Sequence, residues 1–379
     1  MIRGSELIRG RRARRAGLAG SAVAAGMAVL SFGVAAECLG QSTFTKPAAE
    51  FENSYRVAPA FDISVGGPPV GPAVLDESSA YIAASTRVIA VNFTSGDTRW
   101  QVQTDVAWPL SVWNSLVLVA GSQSVTLLRA DDGTRRWSTS VPQPIAVAPT
   151  FKDGMIFVGL TNGDLIALRA GDGSMVWTCH LSDVPSLSPV ASQLAIFAAS
   201  QDGAIACVEI DTGTLRWVRR LPATAASIAI VGTTLVLGGN DKCLYALKTA
   251  SGANRWPRRQ IGARPAGPAV GDAKNIYYVA LDNIVWALNR RNGNVRWRQL
   301  LPYRPLGGPQ LLGANLGVAV VGPEFHLFTP SDGEQVAAFA VDVAEARTVS
   351  AAQQMTVTAF AVTSIHGRTK AFVVTGEQR

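Results

Sequence analysis

Six of the nine tryptophans in this 379-residue chain close copies of a single phrase, a glycine followed by three residues and a tryptophan. The copies read "SGDTRW" (95–100), "DDGTRRW" (131–137), "DGSMVW" (172–177), "TGTLRW" (212–217), "SGANRW" (251–256) and "NGNVRW" (292–297). Their tryptophans, Trp100, Trp137, Trp177, Trp217, Trp256 and Trp297, are spaced at intervals of 37, 40, 40, 39 and 41 residues. The phase returns once more at "SDGEQVA" (331–337), where Ala337 holds the tryptophan's place. A proline marker keeps the same period: "GPAV" (71–74), "WPLS" (108–111), "APTF" (148–151), "SPVA" (188–191), "GPAV" (267–270) and "GPQL" (308–311). A period near 40 that carries two markers in step requires an architecture of stacked, equivalent units.

Each period reads as four short strands. After the proline marker comes an apolar stretch, then a turn such as "KDG" (152–154) and the run "MIFVGL" (155–160). A second turn, "TNGD" (161–164), leads to "LIALRA" (165–170), and the phrase leads to "VWTCHL" (176–181). Runs of four to seven β-formers between Gly, Asn and Asp turns are antiparallel meander strands, and one four-stranded sheet per repeat is a propeller blade. The fold expected is all-β, an eight-bladed β-propeller of four-stranded antiparallel blades over residues 55–379. Seven phased units occupy residues 67–346, and the tail at 349–374 holds only two or three strands. The stretch "YRVAPAFDISV" (55–65) lies where a tryptophan strand lies relative to the next proline, so this N-terminal strand is expected to complete the eighth blade. Seven blades with a C-terminal tail is the alternative.

Within the phrase, glycine suits a turn that needs positive φ, which gives Gly96, Gly133, Gly173, Gly213, Gly252, Gly293 and Gly333 a turn-forming role. The six tryptophans fall at one point of the outer strand and are expected to dock each blade on the next. Arginine precedes the tryptophan in five copies, at Arg99, Arg136, Arg216, Arg255 and Arg296. The expectation is a stem laid over the neighbouring blade with its head in water, although "RWVRR" (216–220) and "RWPRR" (255–259) also raise a basic rim for acidic partners or lipid head groups.

The net charge of +7 belongs mostly to the N-terminus, where residues 1–36 carry six arginines against Glu6. The chain beyond residue 36 sums to +2, so nucleic acid is not an expected partner. A basic stretch to Arg15, the uncharged run 16–36 and small residues at Val34 and Ala36 have the form of a secretory signal, cleaved between Ala36 and Glu37. The expected organisation is a signal peptide at 1–36, a linker at 37–54 and the propeller beyond. An uncleaved membrane anchor is the rival for residues 16–36. Lipid attachment at Cys38 is disfavoured by "AAEC", and the pairs Arg11-Arg12 and Arg14-Arg15 leave the choice between the general and twin-arginine export routes open. Export places the protein in the periplasm or cell envelope, as a monomer with no membrane span once the signal is removed.

No residue pattern points to catalysis, cofactor or metal. Cys179, Cys207 and Cys243 have no CxxC spacing and are expected as small buried residues. His180, His326 and His366 are scattered, and Asp97, Asp132, Asp172, Asp202, Asp211, Asp241 and Asp332 sit in turns, where Asp bonds its own backbone.

Runs such as "LIALRAGDGSMVW" (165–177), "CLYALKTASGANRW" (243–256) and "IVWALNRRNGNVRW" (284–297) resemble the repeat of pyrroloquinoline-quinone (PQQ) propellers over about residues 55–375. Among these, size, blade number and export resemble the BamB-type propellers of outer-membrane protein assembly. That resemblance implies a non-catalytic scaffold that binds envelope proteins. The enzymatic alternative, a quinoprotein dehydrogenase, implies PQQ, calcium, a catalytic aspartate, a stacking tryptophan and commonly two adjacent cysteines. No cysteines are adjacent here, and Trp108, Trp113 and Trp286, the tryptophans outside the phrase, lie in no recognisable cofactor setting.

Overall fold

The structure, a computed structural model of the chain, describes residues 55–376 apart from residues 77, 94, 322–323, 341–345, 355–356 and 365–367. The expected signal peptide, its cleavage point between Ala36 and Glu37, the linker and His366 lie outside the described residues. Contacts divide the chain into units 1–41 and 42–379, and every described residue belongs to the second.

The described residues form eight four-stranded antiparallel sheets, seven of them meanders of consecutive strands, and include no α-helix. Sheet 1 comprises Val74–Leu75, Ser79–Ala84, Arg87–Asn92 and Thr98–Gln103; sheet 2 comprises Ser111–Trp113, Leu116–Ala120, Ser124–Arg129 and Arg135–Ser140. Sheet 3 is Thr150–Lys152, Met155–Gly159, Asp164–Arg169 and Met175–His180, and sheet 4 is Val190–Ala191, Ala195–Ala199, Ala204–Glu209 and Leu215–Arg220. Sheet 5 contains Ala225–Val231, Thr234–Gly239, Cys243–Lys248 and Asn254–Gln260; sheet 6 contains Val270–Gly271, Asn275–Val279, Ile284–Asn289 and Val295–Leu300. Sheet 7 is formed by Gln310–Leu312, Asn315–Ala319, Glu324–Phe328 and Gln335–Ala340.

Sheet 8 joins the two ends of the described chain. Its order from the inside is Ala346–Gln354, Val357–Ser364, Arg368–Gly376 and Tyr55–Ser64. The N-terminal strand pairs from Tyr55↔Gly376 to Ser64↔Arg368, with one irregularity between Pro59 and Phe61. Each innermost strand touches that of the next sheet, and Ala346–Gln354 touches both Gln310–Leu312 and Val74–Leu75. The architecture is that of a β-propeller.

Burial explains the strand types. The second strand of a sheet lies between two neighbours, so both its faces are dry and all six residues of Ser79–Ala84 are buried. The outermost strand alternates instead, as in Met175–His180, where only Trp177 and Cys179 are buried. The core is correspondingly divided between sheets: one cluster joins Phe157, Leu165 and Trp177 of sheet 3 to Ile196, Ala198 and Val208 of sheet 4. Fully buried aromatics such as Tyr81, Phe157, Phe197 and Tyr277 each contribute about 1.5–3 kcal/mol through apolar area removed from water.

Candidate functional site: the inter-sheet contacts and the outer wall

The phrase tryptophans stand on the outermost strands, opposite a residue of the third strand. In sheet 3 the register runs Phe157↔Ala167↔Trp177, and in sheet 6 it runs Tyr277↔Ala287↔Trp297. A small middle residue lets two rings meet on one face, with Phe157–Trp177 and Tyr277–Trp297 centroids both 5.8 Å apart. Each indole then reaches the following sheet. The Trp177 N–H donates to the carbonyl of Ile210 at 2.9 Å, and Trp100, Trp137, Trp217 and Trp297 donate to Ala130, Ala170, Thr249 and Pro330 at 2.8, 2.8, 3.0 and 2.9 Å. Every acceptor lies three residues before the glycine of the next phrase.

That glycine lies under the ring. Gly213 has φ +73°, and a Cβ there would stand 2.7 Å from Cδ2 of Trp177. Backbone conformation and the ring therefore exclude a side chain for two separate reasons. The same contact recurs between Gly133 and Trp100, Gly173 and Trp137, Gly252 and Trp217, Gly293 and Trp256, and Gly333 and Trp297. Gly96 also has positive φ, at 76°, although no tryptophan occupies the preceding outer strand. Trp256 departs in one respect, since its buried N–H finds no acceptor. Trp137 and Trp217 are half-buried, and the other four are buried. Ala337 is fully buried opposite Leu327.

Three of the five arginine heads turn back to their own sheets. Arg99 donates to Ser79 Oγ at 2.6 Å, Arg216 to Glu209 Oε1 at 2.5 Å and Arg255 to Thr233 Oγ1 at 2.9 Å. For Arg99, Arg216 and Arg255 this corrects the expectation of a head left in water. The outer strands of sheets 4, 5 and 6 read "LRWVRR", "NRWPRRQ" and "VRWRQL", with eight arginines, whereas the other five outer strands share four. Three of the eight pair with carboxylates: Arg216 with Glu209, Arg220 with Asp202 at 2.7 Å and Arg258 with Asp241 at 3.8 Å. Arg259 crosses from sheet 5 to sheet 6, reaching the Asn292 carbonyl at 3.2 Å and Asn294 Oδ1 at 3.1 Å.

Three aspartates of the phrase turns accept from their own backbone, Asp132 from the Thr134 N–H at 2.9 Å, Asp172 from the Ser174 N–H at 3.0 Å and Asp332 from the Glu334 N–H at 3.0 Å. The side-chain hydroxyls of Thr134 and Ser174, and then their N–H groups, hold the Asp132 and Asp172 carboxyls below their usual range. Two aspartates escaped the sequence reading. Asp76 and Asp272 each accept two backbone N–H groups through Oδ1 and a tyrosine hydroxyl through Oδ2, from Tyr81 at 2.5 Å and Tyr277 at 2.7 Å. Their common signal is a tyrosine five residues after the aspartate.

Cys179, Cys207 and Cys243 are free and buried, and burial pushes the Cys207 thiol up to about 11. His180 is exposed, 2.8 Å from Asp164, whereas His326 is buried in sheet 7, stacked on Phe328 and 3.1 Å from Glu324. Trp113 stacks on Phe151 from the innermost strand of the next sheet, centroids 4.5 Å apart, and Trp286 stacks on Tyr278 at 5.9 Å under the Arg298 guanidinium. Trp108 is half-buried against the cluster between sheets 2 and 3. Between sheets 4 and 5 a groove of about 490 Å³ is lined by Leu194, Phe197, Ile230 and Thr249, with Lys152 and Arg216 among its polar residues. Among the described residues no group of three or more His, Cys, Asp or Glu side chains is placed to hold a metal, and no helix is long and apolar enough to cross a membrane.

Four-stranded sheets whose inner strands touch in sequence, linked by indole-on-glycine contacts, define a β-propeller of PQQ-like repeats. The chain belongs to the family described as outer membrane protein assembly factor BamB, whose model matches residues 84–299 and 201–371. Its fold is similar to that of BamB from Moraxella catarrhalis, at TM-score 0.65 and 15% identity over 84% of this chain and 99% of that one. Sqt1 of Saccharomyces cerevisiae matches at TM-score 0.72 and 10% identity, over 85% of this chain and 99% of its own. A quinohemoprotein alcohol dehydrogenase, ADHIIG from Pseudomonas putida HK5, matches at TM-score 0.65 and 9% identity, over 87% of this chain and 77% of its own. At such identities the likeness is one of fold. No curated protein matches the chain.

Proposed function

We propose that this protein is an exported, non-catalytic propeller that binds proteins of the cell envelope as a scaffold in outer-membrane protein assembly. The observation that carries the reading is the family match across residues 84–371. The repeated phrase supports it by what it leaves over. In this reading the six tryptophan–glycine contacts are joints between sheets, and recognition falls to side chains that do not repeat. Large apolar residues stand exposed at such places, among them Leu194 at 65%, Tyr303 at 49% and Trp113 at 36%. Isolated exposed apolar groups are ordinary, but an aromatic pair at an innermost strand end and an apolar groove beside Leu194 offer a partner desolvated contacts. Photo-crosslinking from Leu194 and Tyr303 in the native envelope tests the reading: assembly proteins should be recovered, and their absence from both positions would overturn it. N-terminal sequencing of the exported chain should begin at Glu37.

The dehydrogenase alternative draws on shared fold alone. A quinone with three carboxylates and a calcium ion needs cations and clustered oxygen ligands over the ring centre. The innermost strands of sheets 1–7 supply one charged side chain, Lys152, which is paired with Asp153 at 3.0 Å. These residues do not fit that group. Sustained dye reduction by purified protein given PQQ, calcium and a panel of alcohols would reverse the choice.

A further inference from the structure

The near-neutral charge of the chain beyond residue 36 conceals a segregation. Residues 190–300, which contain sheets 4, 5 and 6, carry fourteen Lys and Arg against six Asp and Glu, a net +8. The rest of residues 55–376 carries twelve against sixteen, a net −4. One sector of the propeller is strongly basic and the remainder is acidic.

The charge is concentrated on the outer strands. Edge strands commonly carry charged side chains and proline to block pairing with other chains, and Pro257 fits that role. That account applies equally to every sheet, so it does not explain eight arginines on three consecutive outer strands. Among the described residues Arg219, Arg255, Arg259 and Arg296 pair with no carboxylate, and Arg219 and Arg296 are exposed. Apolar side chains stand between them: Leu215, Val218, Val295 and Leu300 are 46–61% exposed. The wall thus offers cations, apolar contact and unpaired backbone groups, because each outer strand is hydrogen-bonded on one side only.

We propose that the outer wall of sheets 4–6 docks an extended, acidic protein segment whose carboxylates meet the arginines and whose apolar side chains cover Val218 and its neighbours. Guanidinium groups bind carboxylates with paired hydrogen bonds, and an open strand edge adds main-chain bonds to an extended segment. A basic wall with exposed apolar groups also suits anionic lipid. Outer strands of three successive sheets lie around the rim of a propeller, however, and a flat bilayer meets such a rim at one sheet, while a polypeptide can follow it across all three. The proposal rests on the scaffold reading above and names the partner's chemistry.

The test uses the full chain and a short labelled peptide alternating glutamate and valine, with a glutamine-for-glutamate version as its neutral twin. The acidic peptide should bind and lose affinity as salt rises. Binding should weaken by about tenfold or more with the glutamine peptide, and likewise with the variant Arg219→Glu/Arg258→Glu/Arg296→Glu. Reversal at Arg135 and Arg136 of sheet 2 should leave it unchanged. Equal binding of the two peptides to the unaltered protein overturns the proposal without reliance on any variant's folding. So does binding of the protein to phosphatidylglycerol vesicles, but not to the acidic peptide. A photo-crosslinker at Val218 separates this proposal from the scaffold reading: partners captured from Leu194 or Tyr303 but never from Val218 would sink the wall and leave the scaffold standing.

Discussion

The sheet pairs from 1–2 to 6–7 differ in kind from the two pairs that include sheet 8. In the first group an indole crosses to the next sheet and covers a glycine there. Around sheet 8 the tryptophan is missing on both sides: Ala337 holds its place in sheet 7, and residues 55–64 contain none. The topology gives the reason. The third and fourth strands of sheet 8 come from opposite ends of the chain, so no turn connects them and no phrase glycine exists there. A tryptophan at position 337 would have no glycine to cover. The two residues of the phrase belong to different repeats in space, and the chain break removes both sides of the contact together.

The largest expected effect is on sheet 8. Deleting residues 55–64 leaves Arg368–Gly376 as an open edge, and the single cooperative urea transition should be lost, with recovery when a peptide of that sequence is supplied. A deleted chain that unfolds like the intact one would show that the sheet needs no N-terminal strand. Next, Trp177→Ala should cost about 3–5 kcal/mol in denaturant unfolding, through the cavity and the lost bond to Ile210. Gly213→Val should cost about 2–5 kcal/mol, from backbone strain and the ring contact together. Gly154→Val has similar φ, +78°, with nothing within 4 Å of an added Cβ, and should cost about 1–3 kcal/mol from strain alone. Equal costs at the two glycines would remove the ring from the account.

Ala337→Trp probes the comparison from the other side and should destabilise by about 1–3 kcal/mol, since Ala337 is fully buried and a larger side chain overpacks its surroundings. A stabilised variant would mean that sheet 8 can receive an indole after all. The smallest effect concerns His326. Burial, outweighing the nearby Glu324, holds its pKa below the usual value. The folded state then binds its proton less readily than the unfolded chain does. Stability is therefore present above the unfolded pKa of about 6.5 and falls as pH drops from there toward the folded value. His326→Leu should flatten that part of the stability profile, as measured by urea midpoints across the window.

Much of the fold was legible because a repeat reports itself. The period, the four strands and the pairing of residues 55–64 with the chain's end all come from phase alone, without any contact being known. Asp76 and Asp272 went unread although each stands four residues after its proline marker, because their signal is a bond to a tyrosine five residues on, and the other marked repeats lack that pair. The heads of Arg99, Arg216 and Arg255 differ from the expectation because strand alternation sets a side chain's face but not the partner its long stem finds. Ser79, Glu209 and Thr233 lie near those heads only once the sheets are formed.

The sequence by itself determined the period and the strands of each repeat, and raised the expectation that the chain ends meet, since hydrophobic pattern and turn chemistry are local properties that recur with the chain. Only the tertiary structure decided that the tryptophan of one repeat covers the glycine of the next, that Ala337 faces no such glycine, and that the Arg259 head reaches Asn292 and Asn294 of the following sheet. Those facts depend on which repeats become neighbours, and burial and charge act through space and not along the chain.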